Sequence, residues 1–190
     1  IRDFMIEYRC DSPYFHQISE QFLTYITQVR LATDHEPRFL HELMHYEWIE
    51  LALDIDEQEP FGQDNGLTDQ LLEQAPQVSP LAWTFSYHYP VHRICVDFQP
   101  NTPCDQPIWL LVYRNADDHV KFMELNPVSA RLIELMSLEP LVSGYSHLMK
   151  IAAEMQVTDP TPVIEGGTQL LHQFYEAGIV LGATTLPKED

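Results

Sequence analysis

Between Asp97 and Ile108 the chain reads "DFQPNTPCDQPI", which places Pro100, Pro103 and Pro107 within eight positions. A proline fixes φ and lacks an N–H, so it cannot sit inside a regular helix or a central strand. No element can cross this stretch, and the 190-residue chain is expected to divide here. The expected organisation is a helical domain over 1–98 that ends in an extended segment, a proline-rich linker over 99–107, and a second domain over 108–190. This length suffices to bury a core in one large domain or two small ones.

Upstream of the linker, "SEQFLTYITQVR" predicts a helix with Ser19 as its N-cap, and "EPRFLHELMHYEWIELALDI" a longer one with Pro37 near its first turn. "LTDQLLEQAP" predicts a short helix, whereas "AWTFSYHYPVHRICVDF" is rich in aromatic and β-branched residues and reads as extended. The chain opens on Ile1, and "IRDFMIEYRC" reads as the tail of a helix, so a further N-terminal piece is expected.

Downstream, "PIWLLVYRN" and "HVKFMELN" predict two strands joined at Ala116-Asp117-Asp118. "PVSARLIELM" predicts a helix with Asn126 as N-cap and Pro127 at N1. "SGYSHLMKIAAEM" predicts a second helix, "TPVIEGGTQLLHQFYEAG" a third closed by Gly178, and "IVLGATTL" a last strand. A hairpin, three helices and a closing strand make a winged-helix layout. The fold class expected for the whole chain is therefore α+β, a helical domain followed by a winged-helix-like domain.

Charge narrows the partners. Ten Lys and Arg against 29 Asp and Glu give a net charge of -19, a field that repels phosphate backbones and anionic membranes. Cys10, Cys95 and Cys104 form no C-x-x-C pair, and neither a signal peptide nor an apolar run near membrane-spanning length occurs. A reduced, cytoplasmic protein is expected, with Cys95 packed and Cys104 a loop thiol.

"HELMH" at 41–45 spells H-E-x-x-H, in which two imidazoles on one helical turn hold zinc and the Glu acts as general base. A peptidase also needs a third ligand. The extended zincin form is absent, because Ile49 stands where its Gly should be and Ala52 where its third His should be. On a helical wheel His41 and His45 border a stripe of Leu40, Met44, Trp48 and Leu51. Two boundary histidines on a packed helix outweigh a zinc site. His88 and His92 are also four apart, but Pro90 between them denies the helical geometry of a ligand pair. No resident metal or cofactor is expected, and no nucleophile motif appears.

The third helix of the second domain is the one that would enter a DNA groove. Residues 163 to 177 contain no Lys or Arg and two Glu, so this helix lacks the groups that read phosphates and base edges. A winged-helix DNA-binding regulator is thus a weaker alternative, and an HExxH zinc peptidase weaker still. The same layout has another use, since an edge strand accepts an extended peptide as an added strand. The strand residues expected to carry it are Val120, Lys121, Phe122, Met123 and Glu124, with Met123 and Leu125 facing inward. Ile164, Thr168, Leu171 and Tyr175 on the third helix are the expected opposite wall.

"RDFMIEYRCDSPYFHQISEQFLTYI", "FLHELMHYEWIELAL" and "YPVHRI" resemble the helical domain of the HvfC family, with Glu42, Leu43, Glu47 and Trp48 carrying the similarity of the second segment. "FMELNPVSARLIELM" and "LLHQFYEAGIVLGA" are similar to the PqqD-like precursor recognition element, through Leu125, Asn126, Gly178, Ile179 and Val180. The connection "SLEPLVSG" is longer than that pattern has. Members of the family are often labelled DNA-binding-domain proteins and accompany multinuclear non-heme iron oxidases in ribosomal-peptide maturation. The resemblance implies a non-catalytic partner that binds the leader of a precursor peptide and presents its core cysteine to the oxidase.

Overall fold

A computed structural model describes residues 3–8, 15–29, 36–59 and 70–186. Its contacts form two compact units, one of residues 1–55 with 86–108 and one of 56–85 with 109–190. This grouping differs from the expected 1–98 and 108–190. Residues 56–85 join the second unit because β1 (Ala75–Val78) pairs antiparallel with β5 (Val180–Thr184), a contact across more than a hundred positions that no local pattern announces.

In the first unit a π-helical turn, Phe4–Tyr8, precedes α1 (Phe15–Thr24), which runs on as a π-helical turn, Tyr25–Val29. Ser19 therefore lies inside α1 and is not its cap. The helix starts earlier because Ile18 already packs, with Phe22, against the buried cluster of Phe4, Tyr25 and Ile26. In that cluster the Phe4 ring meets Phe22 edge-on at 5.1 Å. The second helix, α2 (Leu40–Asp54), has Pro37 just before it, and the Leu40 N–H donates to the Pro37 carbonyl at 3.0 Å. Its fully buried residues are Ile49 and Leu53, which lie off the expected stripe; Met44, Trp48 and Leu51 are only half-buried. Helix α2 is apolar on two faces, and the histidines sit between them.

β2 (Ala82–Tyr87) is extended as expected, but Pro90 then opens a 3-10 turn, Val91–Arg93, and Cys95 and Phe98 form a single bridge. Cys95 is exposed and Cys104 half-buried, the reverse of the expectation, because Cys95 sits on that narrow bridge while the Cys104 N–H donates to the His88 carbonyl at 2.7 Å.

In the second unit the expected helix at "LTDQLLEQAP" is replaced. Residues 67–69 lie outside the described residues, 70–74 form turns, and Ala75 begins a strand. Pro76 disfavours helical backbone at the residue before it and ends any helix there. β3 (Ile108–Arg114) and β4 (Val120–Leu125) form the expected hairpin, with Trp109 opposite Leu125 and Arg114 opposite Val120. Asn115 closes it, since its Oδ1 accepts the N–H groups of Asp117 and His119 while Asp118 takes φ 57°. A three-residue loop ending in a left-handed residue matches the twist of the strands. The sheet order is β2-β3-β4, which among the described residues leaves β4 at the edge.

Three helices follow: α3 (Pro127–Leu138), α4 (Gly144–Glu154) and α5 (Thr161–Glu176). Asn126 Oδ1 caps α3 by accepting the Ser129 N–H at 2.9 Å, and Ser143 caps α4 through the Ser146 N–H at 3.2 Å. α5 ends in a Schellman turn. The Gly178 N–H donates to Tyr175 and the Ile179 N–H to Phe174, with Gly178 at φ 77°, where a side chain would be strained. The core gathers Leu111, Leu125, Leu132, Leu148, Leu171 and Phe174, with Met123 packed against it, so the inward face of β4 is the expected one. The class is α+β, a helical N-terminal region followed by a domain of sheet and helix.

Candidate functional site

The HELMH segment is the first place to look for chemistry. Glu42, the general base of a zinc peptidase, accepts three hydrogen bonds. Its Oε1 takes the His88 N–H at 3.1 Å and His88 Nδ1 at 2.9 Å, and its Oε2 takes the Tyr89 N–H at 2.9 Å. The carboxylate thereby pins the segment that follows β2. His45 Nδ1 lies 2.9 Å from the Tyr87 hydroxyl, and burial pulls its pKa below the ordinary imidazole value. Burial likewise raises the Tyr87 phenol. The same helix borders a groove of about 350 Å³, lined by Phe22, Leu23, Leu43, Met44, Trp48 and Leu51. This is where the apolar stripe read from the sequence goes. Among the described residues no three His, Cys, Asp or Glu side chains stand together as a metal group.

In the second unit, β4 leads directly into a cleft of about 410 Å³. Asn126, the residue after β4, forms one wall with Val128, Ser129 and Met155. α5 supplies the other wall through Pro162, Val163, Gly166, Gln169, Leu170 and Gln173, with Gly167 at its base. The wall is a single helical face, since these positions recur at three- and four-residue spacing. No lining residue is charged, in a chain of net charge -19.

The adjacent glycines do different work. A Cβ on Gly166 would meet nothing within 4 Å, so its missing side chain widens the cleft. A Cβ on Gly167 would collide with the buried Leu148 side chain, so that glycine lets α5 approach α4.

The expected peptide-contacting residues separate into two groups. Val120, Phe122 and Met123 are half-buried on the edge strand, and Lys121 and Glu124 are exposed there. Of the four on α5, Ile164, Thr168 and Tyr175 are half-buried on the flank away from the cleft, and Leu171 is fully buried. Leu171 offers no surface, because its position on the helix points at α4 and the core. Sequence reasoning missed Gly166, Gln169 and Gln173; the signal available was the "GG" pair inside a strongly amphipathic helix. The exposed face of α5 is as expected, with Glu165, Gln169, His172 and Glu176 in solvent and no Lys or Arg.

A family model described as the HvfC C-terminal domain matches residues 79–175, half of the chain. The chain belongs to the HvfC family. The matched segment takes in β2, the β3-β4 hairpin, α3, α4 and nearly all of α5, hence the whole cleft and its edge strand. It starts upstream of the proline-rich stretch, so the family domain bridges the linker expected at 99–107. No curated protein matches the chain. Among the described residues no helix is long and apolar enough to cross a membrane.

Proposed function

We propose that this HvfC-family protein is a non-catalytic partner that binds the leader of a ribosomally made precursor peptide and presents the precursor's core cysteine to a multinuclear non-heme iron oxidase. The observation that carries the reading is the edge strand β4 running into an uncharged cleft. An extended leader adds to β4 over Val120 to Glu124 through its backbone, which gives affinity with little demand on sequence. Its next side chains enter the cleft, where Val128, Val163 and Leu170 receive apolar groups and the amides of Asn126, Gln169 and Gln173 receive backbone polar groups. Tethering the leader raises the effective concentration of the reactive segment at the oxidase, so the partner needs no reactive residue of its own. The occupation of Glu42 by the 88–89 backbone fits that role better than a base awaiting substrate.

Gly166→Leu tests it. The substitution fills open space in the cleft on a helical residue and leaves the α4–α5 contact untouched. Titration of a fluorescent precursor leader should show at least a tenfold loss of affinity in a variant whose circular dichroism is unchanged and whose melting temperature is no lower than that of the wild type. Unchanged affinity would show that the leader binds elsewhere.

A further inference from the structure

The cleft lacks charge, but its border does not. Glu165 lies three positions after Pro162 and four before Gln169, and Glu176 lies three after Gln173; all three neighbours line the cleft. Eleven residues is three turns plus about 20°, so Glu165 and Glu176 stand in one row along the cleft edge of α5. Both are exposed, and among the described residues no cation pairs with either. Asp159, before the helix, is held ionised by the Thr161 side chain and backbone N–H. From Ile151 to Pro187 the chain has no Lys or Arg. Of the described cations in this unit, Arg114 is held by the carbonyls of Asp56 and Gln58, Arg131 by Glu134 and Glu154, and Lys150 by Glu139, while Lys121 stands on β4 and not on α5.

Resting on the peptide-binding reading above, we infer that the cleft selects a cationic peptide segment, with one apolar side chain in the cleft and a Lys or Arg on each side of it, aimed at Glu165 and Glu176. The spacing follows from geometry. At about 1.5 Å per helical residue the two carboxylates are about 16 Å apart along the axis, which an extended chain rising about 3.3 Å per residue covers in about five residues. An uncharged floor takes the anchor without a desolvated charge, and the acidic border supplies complementarity at the exposed rim, where charge sets on-rate and selection more than affinity.

The probe is an array of synthetic peptides about nine residues long, each with a central leucine and a pair of residues about five positions apart set to lysine, glutamine or glutamate. The full chain should be retained in the order lysine, glutamine, glutamate, with at least a tenfold spread between the extremes at low salt that shrinks as salt approaches about 0.3 M. Glu165→Lys with Glu176→Lys should invert the order, since both positions are exposed and replacing them leaves the core intact. Retention that Gly166→Leu abolishes but that shows no charge order, or no inversion in the double variant, overturns this inference and leaves the cleft as the peptide site. If no peptide is retained by the folded chain, the peptide-binding reading fails, and this inference with it.

Discussion

Gly166 and Gly167 are neighbours on α5, and the same substitution should move stability in opposite directions. Alanine at a solvent-facing helical glycine removes the entropic cost of glycine and gains about 0.5–1 kcal/mol. At Gly166 nothing opposes this gain, because the new Cβ meets no atom within 4 Å. At Gly167 the Cβ would stand 2.6 Å from Leu148 Cδ1 and 2.9 Å from its Cγ, with Cδ2 nearer still. Leu148 is fully buried in the core, so making room for the new Cβ shifts packed neighbours, and overpacking of this kind costs about 1–3 kcal/mol and outweighs the propensity gain. The expected net is a gain of about 0.5–1 kcal/mol for Gly166→Ala and a loss of about 1 kcal/mol or more for Gly167→Ala. With a urea slope of about 2 kcal/mol/M, the midpoints should separate by about 0.8 M. Equilibrium urea unfolding followed by far-UV circular dichroism reads both. If Gly167→Ala is as stable as Gly166→Ala, α5 does not approach α4 as closely at Gly167 as the Leu148 contact requires.

Glu42→Ala leaves two backbone N–H groups and the His88 ring without their acceptor. Its side chain is 24% exposed, so water recovers part of the loss, and the expected destabilisation is about 2 kcal/mol; urea unfolding checks it, and a loss below about 0.5 kcal/mol would remove Glu42 from its structural role. His147 is buried on α4, and its ring nitrogens meet no partner of good hydrogen-bond geometry among the described residues, the Glu139 backbone being the polar group beside them. Desolvation lowers its pKa below the ordinary value, so between the folded and unfolded values the unfolded chain binds more protons. Its contribution is complete above about pH 6.5 and is lost as pH falls towards the folded value, and His147→Met should flatten the acid side of the stability profile between about pH 7 and pH 5. A slope identical to the wild type would mean that His147 titrates alike in both states.

The parts of the fold that were legible are those fixed by neighbours in the chain. Asn126 before Pro127, Ser143 before its helix, Gly178 after α5 and Asn115 at the hairpin each satisfy backbone groups within a few positions, and each stands where the residue types demand. Illegible parts depended on distant partners. Ala75–Val78 is a strand because β5 pairs with it, and its letters alone suit a helix until Pro76 is weighed. α2 carries apolar residues on two faces, so a wheel shows where the apolar groups are and not which set is buried. The HExxH pattern matched in letters, but Glu42 meets residues more than forty positions away. At the candidate site the edge strand was readable from the order of elements. The cleft was not, because it arises from a missing Cβ at Gly166 and from which flank of α5 faces the start of α3.

Hydrogen–deuterium exchange, with and without a short cysteine-containing precursor peptide from the same gene neighbourhood, tests the central claim most directly. Strand addition hydrogen-bonds the outward-facing amides of β4, so bound peptide should slow exchange over Val120–Leu125, together with the cleft-lining part of α5, while α2 is unchanged. Peptide that binds to saturation while exchange over Val120–Leu125 stays as fast as in the free protein would contradict the account.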